Sequence, residues 1–338
     1  MSRPHPFRLK VGHSLSAALF LLQAAGGALA AFGGGTSSTT TRTRTTPLAM
    51  SADGVAVVGC GVLGTSLCRQ ILGSSDFGSR SVTGITKTSN RHESIRSAIS
   101  EAAPDCADRF QLKTYEELSA DAKFRDVVFC APPSGFDDYP GAVRDAMENV
   151  WSGPSGGGSF VFTSSGGIYG EGKGETVTEE SPVASRESSP RTARLIDAEQ
   201  VCVEGGGCAL RLAGLYLLER GAHNYWLEGG NDVRGRPDGI VNLLHYDDAA
   251  SSCVAALRAG PDVVSGKTFL ISDGNPTTRE GICVSAKKAE RYAERGMPAF
   301  LGGDDGPLGK VYDGTTSDAA LRWKPQYASF DEFMSSYD

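Results

Sequence analysis

The sequence predicts an α/β fold, a doubly wound parallel sheet with a small C-terminal lobe, and three observations carry that expectation. Short apolar runs alternate with helix-length stretches from residue 54 onward, which implies right-handed crossovers between parallel strands. The first run, VAVVG (55–59), is continuously apolar, as a strand buried on both faces must be. It ends in a glycine-rich turn, GCGVLG (59–64), that leads directly into a helical pattern.

The elements follow in order. A helix runs from about Val62 to Leu72, then SVTGITK (81–87) is the second strand and HESIRSAISEAA (92–103) the second helix. FQLKTY (110–115) is a short third strand and EELSADAKF (116–124) a helix. DVVFCA (126–131) is the fourth strand, GAVRDAMENVW (141–151) its helix, and GSFVFTSS (158–165) the fifth strand. Beyond Ser165 the pattern loosens, and residues 166–189, rich in Gly, Ser, Thr and Glu, read as a loop. RTARLIDAEQVCV (191–203) is helical and GCALRLAGLY (207–216) is one more buried strand. The stretch 219–239 is polar and Gly-rich, with few core residues. IVNLLHY (240–246) and KTFLIS (267–272) are strands separated by the helix DDAASSCVAALRAG (247–260). A helix around 279–296 and a tail complete the chain, in which no internal repeat is visible.

Composition narrows the function. The 338 residues, 40% of them hydrophobic, suffice for one large α/β domain or two small ones. Residues 1–50 hold five basic residues and no acidic one, so the remainder carries 28 basic against 40 acidic side chains. That balance argues against a nucleic-acid partner, whose phosphates need Lys and Arg. A basic start, the apolar run SLSAALFLLQAAGGALAA (14–31) and a small-residue end form a secretory signal, and Gln23, Gly26 and Gly27 interrupt it too often for a membrane span. The Ser/Thr-rich, basic stretch after it cannot bury a core. With Phe32 just after the ALAA end, the order resembles the bipartite presequence of plastid proteins in algae with secondary plastids. A plastid location with residues 1–50 removed or disordered is therefore expected, with secretion as the alternative. The eight cysteines are scattered without a CxxC pair, which suits a reducing compartment. Only three histidines follow residue 50, far apart, so no metal site is expected.

Gly59, Gly61 and Gly64 form G-x-G-x-x-G between strand and helix, the Rossmann arrangement. The first glycine permits the tight turn, the second lets the backbone approach a pyrophosphate, and the third lets helix and strand pack closely. The N–H groups opening the helix at Val62 and Leu63 would hold the pyrophosphate, and Ala131 and Pro132, leaving the fourth strand, complete the candidate nucleotide site. Cofactor choice is read at the end of the second strand, where NAD proteins commonly place a carboxylate for the ribose hydroxyls. Here Thr86, Lys87, Thr88 and Arg91 stand instead, so NADP is expected, through its 2′-phosphate, with NAD possible. GPDVVSGKT (260–268) imitates a phosphate-binding loop, but Pro261 replaces its first glycine region and the segment runs from helix to strand, the reverse of the required order.

VFTSSGGIYG (161–170), LRLAGLY (210–216) and VNLLHYDDAA (241–250), following that glycine turn, resemble the extended short-chain dehydrogenase/reductases of the NAD-dependent epimerase/dehydratase superfamily. The resemblance covers about residues 54–330, and KVYDGTTSDAALRWKPQY (310–327) is similar to the tail of small bacterial epimerase-like proteins, after a substrate-side lobe. It implies that Ser165 polarises a substrate carbonyl or hydroxyl. It also implies a Tyr-x-x-x-Lys pair, the Tyr as general acid/base and the Lys lowering its pKa and holding the nicotinamide ribose. In the register set by RLIDAE, Pro190 takes the Tyr position and Arg194 the Lys position, so the proton donor is missing. Tyr169 is a candidate substitute. Three functions follow: an oxidoreductase on a small metabolite with a degenerate pair, an NADP-binding regulator without turnover, or a nucleotide-sugar-type epimerase. Asp247 and Asp248, opening a helix, are expected to serve its N-terminus and not catalysis.

Overall fold

The computed structural model describes residues 53–119 and 121–337, and the expected presequence lies outside the described residues. The first half is a strand–helix alternation: β1 (Val55–Val58), α1 (Val62–Gly73), β2 (Val82–Thr86), α2 (His92–Ala102), β3 (Phe110–Thr114), β4 (Asp126–Phe129), α3 (Tyr139–Asn149) and β5 (Phe160–Ser165). The second half adds β6 (Lys173–Val177), α4 (Pro190–Glu204), β7 (Cys208–Leu212), β8 (Gly214–Tyr216), β9 (Ile240–Val241), β10 (Leu243–His245), α5 (Tyr246–Ala259) and β11 (Thr268–Ile271). β12 (Thr277–Thr278) and β13 (Gly309–Tyr312) follow, with short helices between and after them.

Seven strands form the central sheet in the order β11-β7-β5-β4-β1-β2-β3, every neighbouring pair parallel. The doubly wound α/β fold is thus as expected. All four residues of β1 and all four of β4 are buried, because helices cover both faces of the sheet. Leu67 and Ile71 of α1, Ile99 of α2 and Cys253 of α5 fill one face. Val143 and Met147 of α3 with Ala198 and Cys202 of α4 fill the other. The chain reverses its direction of progress across the sheet between β1 and β4, which opens a crevice beyond their carboxyl ends. A separate apolar cluster, including Tyr216, Leu227, Ile282, Tyr292 and Phe333, is the core of the C-terminal lobe.

Several elements differ from expectation. The helix expected over 116–124 is a single 3-10 turn, Tyr115–Glu117, closed by a capping box between Thr114 and Glu117. The expected loop 166–189 contains β6, which pairs in parallel with β13 from more than 130 residues later. No local pattern marks a strand whose partner is that distant. The expected strand 207–216 divides at Ala213, whose N–H still bonds to Ile271, whereas Gly214 bonds to Asn242 and starts β8 beside β10. The helix expected over 279–296 is two, Arg279–Ala286 and Glu290–Ala293, separated by extended backbone at Ala289. In 219–239, Leu227 and Val233 are core residues after all.

The cap of α5 is His245, whose Nδ1 accepts from the N–H of Asp247 at 3.1 Å. Burial drives the His245 pKa down to about 4, so the ring is a neutral acceptor. Asp248 instead anchors the tail, accepting the N–H groups of Gln326 at 2.7 Å and Tyr327 at 3.0 Å. Asp247 binds Ser66 and Arg69 of α1. Neither carboxylate is placed for catalysis.

Asp273, just past β11, is buried, and its Oδ2 has no partner while Oδ1 accepts from the Asn275 N–H at 2.9 Å. Burial, with the nearby Asp248, pushes its pKa up to about 7. A carboxyl raised above its unfolded value of about 3.9 stabilises the fold fully below that value, and the contribution is lost as pH rises to about 7. Asp273→Asn keeps the Oδ1 acceptor and cannot ionise. Its stability relative to the wild type, by urea denaturation, is expected to improve by on the order of 4 kcal/mol from pH 4 to pH 8. A pH-independent difference would show that Asp273 ionises normally.

Candidate functional site

The crevice at the β1–β4 switch is built around the glycine turn. Gly59 has φ +92°, and a Cβ on it would lie 2.3 Å from the backbone nitrogen of Ala131, so only glycine fits between the first and fourth strands. Gly64 sits under the turn, where a Cβ would be 2.8 Å from the Gly59 carbonyl and 3.2 Å from Val57. At Gly61 the situation is opposite. A Cβ there meets only the Gly59 oxygen, at 3.8 Å, so the space above it is open to a ligand. Thr65 donates to Gly61 and α1 has no side-chain cap, which leaves the N–H groups of Val62, Leu63 and Gly64 without intrahelical acceptors. That is an anion cradle at a helix start, and a pyrophosphate fits it.

Two cavities meet at this cradle. One, about 440 Å³, runs toward β2 and β3 and is lined by Thr86, Lys87, Arg91 and Ala131 together with Tyr115 and Phe136. Tyr115, Phe136 and Pro132 give this cavity an apolar wall. Lys87 Nζ donates to the Gly135 carbonyl at 3.0 Å. The Thr86 hydroxyl is engaged by His92 Nε2 at 2.7 Å. Arg91, at the start of α2, is exposed, and its guanidinium makes no hydrogen bond or ion pair among the described residues. The carboxylate on this cavity's wall is Glu116, from the turn after β3 and not from the end of β2.

The other cavity, about 510 Å³, extends from Gly61, Val62 and Leu63 past Pro132 to Ser165. Ser165 Oγ accepts from the Gly167 N–H at 3.2 Å, which leaves its O–H free to donate into the cleft. Ser165 also borders an adjoining cavity toward Asn242, Lys310 and Tyr312, so the cleft continues into the C-terminal lobe.

Two candidates are corrected. Tyr169 is buried at 2% exposure; its hydroxyl donates to the Thr178 carbonyl at 2.7 Å and accepts from Arg211 Nη1 at 2.9 Å. Burial, only partly offset by Arg211, raises its pKa, and it lines neither large cavity of the cleft. Tyr169 is therefore structural. Arg194 also lines neither cavity. The α4 residues that do are Arg191 and Leu195, one turn apart on the stripe that continues through Ala198 and Cys202 into the core. Pro190 is the first residue of the helix after the Ser189 cap, so the register that faces the cleft is one residue later than expected. At the two cleft-facing positions stand an arginine, Arg191, and a leucine, Leu195. A guanidinium is a hydrogen-bond donor only, and a leucine side chain has no proton to move. The proline–helix start in SSPR (188–191) was the available signal for this register.

A buried network fixes that wall. Arg211 on β7 and Glu199 on α4, both 6% exposed, pair through Nε at 3.1 and 3.2 Å and through Nη2. Ser164 Oγ donates to Glu199 at 2.9 Å, and Arg211 also reaches the Glu179 carbonyl at 2.9 Å. All eight cysteines are free thiols, six of them buried, and no cluster of metal-ligating side chains occurs among the described residues. No helix among them is long and apolar enough to cross a membrane.

Fold and cleft together define a Rossmann-type α/β protein with a phosphate-cradling turn. No family profile matches the chain, and no curated protein matches it in sequence. Solved structures do match in fold. A functionally unknown conserved protein from Silicibacter pomeroyi shares 18% identity at a TM-score of 0.62, over 84% of this chain and 98% of that one. A dTDP-glucose 4,6-dehydratase from Bacillus anthracis in complex with NAD shares 14% at 0.62, over 84% and 95%. A UDP-glucuronic acid 4-epimerase from Bacillus cereus, in complex with UDP-glucuronic acid and NAD, shares 16% at 0.61, over 84% and 97%.

Proposed function

We propose that this chain binds NADP(H) in the cleft and acts as an oxidoreductase on a small metabolite, without a Tyr–Lys pair. The observation that carries the reading is the open space above Gly61 facing three unpaired helix N–H groups, with Ser165 on the wall of the same cavity. Val62, Leu63 and Gly64 would hold the pyrophosphate, the Tyr115–Phe136 wall the adenine, and Lys87 and Arg91 the 2′-phosphate. A bound nicotinamide supplies the hydride chemistry. Ser165 would donate to the substrate oxygen, and the proton itself must come from solvent or substrate, since Arg191 and Leu195 provide none. The NAD-bound dehydratase and epimerase of like fold support this class of ligand. A second reading, dinucleotide binding without turnover, is favoured by the same Arg191–Leu195 replacement. An epimerase of nucleotide-linked sugars has less support, because it needs reversible proton transfer at this very place. We place the protein in the plastid stroma on the order of signal and Ser/Thr-rich segments in residues 1–50.

The test is fluorescence titration followed by a turnover assay. NADPH is expected to bind at least tenfold more tightly than NADH, and Arg91→Ala to remove most of that difference, since one charge-assisted bond contributes about 1.5–3 kcal/mol. Equal affinities would reject NADP. With NADPH and a panel of small carbonyls, Ser165→Ala is expected to slow turnover about 10²-fold. Intact binding with no turnover on any carbonyl selects the second reading.

A further inference from the structure

The nicotinamide end of the cleft carries an unusual charge. Arg191, from the first turn of α4, and Arg220, from the turn after β8, line the 510 Å³ cavity, whose walls include no Asp or Glu. Neither lines the cavity on the adenine side. The Arg191 guanidinium makes no hydrogen bond or ion pair among the described residues. Arg220 donates Nε to the Tyr246 hydroxyl at 3.0 Å, with its guanidinium 5.8 Å from that ring's centroid. This holds the side chain in place and leaves its terminal nitrogens free.

Solvated arginines are common, but here the surroundings argue against that reading. Acidic side chains outnumber basic ones 40 to 28 after residue 50, so carboxylate partners are abundant. Several other surface arginines have found them: Arg186 pairs with Asp197 at 2.6 Å, Arg291 with Glu219 at 3.2 Å and Arg295 with Glu228 at 2.8 Å. Glu219, adjacent in sequence to Arg220, is used by Arg291 instead. Arg91 lines this cavity too but also borders the adenine-side one, so Arg191 and Arg220 are the cations without a carboxylate partner that belong to this carboxylate-free cavity alone. Together they form a site for an anion, and the planar arginine fork matches the two oxygens of a carboxylate or phosphate.

We infer that the substrate carries an oxyanion head group, carboxylate or phosphate, gripped by Arg191 and Arg220 beside Ser165. The inference rests on the cleft also holding the dinucleotide. It gives Arg191, at the cleft-facing start of α4, a role: the site orients an anionic substrate where a proton relay was expected.

The experiment is calorimetric titration of inorganic phosphate and of malonate into the full-length protein, free and saturated with NADPH. Saturable anion binding to the NADPH-saturated protein is expected, weakened at least tenfold by Arg191→Gln and by Arg220→Gln. Arg186→Gln, at a paired surface arginine, should leave it unchanged. Tighter phosphate than malonate assigns a phosphorylated substrate, and the reverse a carboxylate. Anion affinity unchanged in both cleft variants, or no saturable binding, overturns the inference. So does an Arg191→Gln protein that loses NADPH but keeps the anion, because Arg191 then serves the cofactor phosphates. If NADPH itself fails to bind, the cofactor reading falls, and the variants' effect on anion binding to the free protein still decides this one.

Discussion

Gly61→Val is expected to reduce dinucleotide binding at least 100-fold while leaving the melting temperature within a few degrees. The added side chain enters space that is open in the fold, where the nearest atom to a Cβ is the Gly59 oxygen at 3.8 Å. It therefore displaces ligand and not protein. A hundredfold loss corresponds to about 2.7 kcal/mol, the scale of two or three hydrogen bonds from helix N–H groups to a charged phosphate. Gly59→Ala makes the contrast. Its methyl would collide with Ala131 at a positive φ, so it should lower stability along with binding. Fluorescence titration with parallel thermal melts separates the two effects. A Gly61→Val protein that binds NADPH normally would remove the cradle from the mechanism.

Glu199→Ala is expected to destabilise the fold by about 3–5 kcal/mol, the usual cost of leaving one member of a buried ion pair without its partner. Arg211 would remain 6% exposed with its charge uncompensated, and the Ser164 hydroxyl would lose its acceptor. Urea denaturation should show a lowered midpoint, and the melting temperature should fall by on the order of 10 °C. Adding Arg211→Met to Glu199→Leu removes the orphaned charge and should recover part of the loss, although Tyr169 and the Glu179 carbonyl then lack a donor. A cost below about 1 kcal/mol for the single variant would mean that water reaches the pair. Because α4 carries Arg191 and β5 ends in Ser165, loosening this network should also blunt the cleft.

Much of the scaffold was legible because its signals are local. The buried strands β1, β4 and β5 read as apolar runs, and the glycine spacing 59, 61, 64 encodes a turn whose three requirements are each met within a few residues. Val62 and Leu63 at the turn, and Lys87 and Arg91 between β2 and α2, border the two cavities and are placed by that turn and the next strand alone. Where sequence reading failed, the deciding contact was distant. β6 exists because β13 lies beside it. The strand over 207–216 splits because Gly214 finds Asn242 while Ala213 stays with Ile271.

The sequence by itself determined the α/β class and the glycine turn between β1 and α1, since each depends on residue type at short spacing. Tertiary structure decided which residues face the cleft. A helix turns 100° per residue, so a register one position out exchanges Pro190 for Arg191 and Arg194 for Leu195 on the cleft wall. It decided that Tyr169 is spent on Arg211 and Thr178. It also gathered Arg191 and Arg220 into one cavity, from segments whose separation in sequence says nothing of their proximity, because packing against the sheet and not local preference orients each wall.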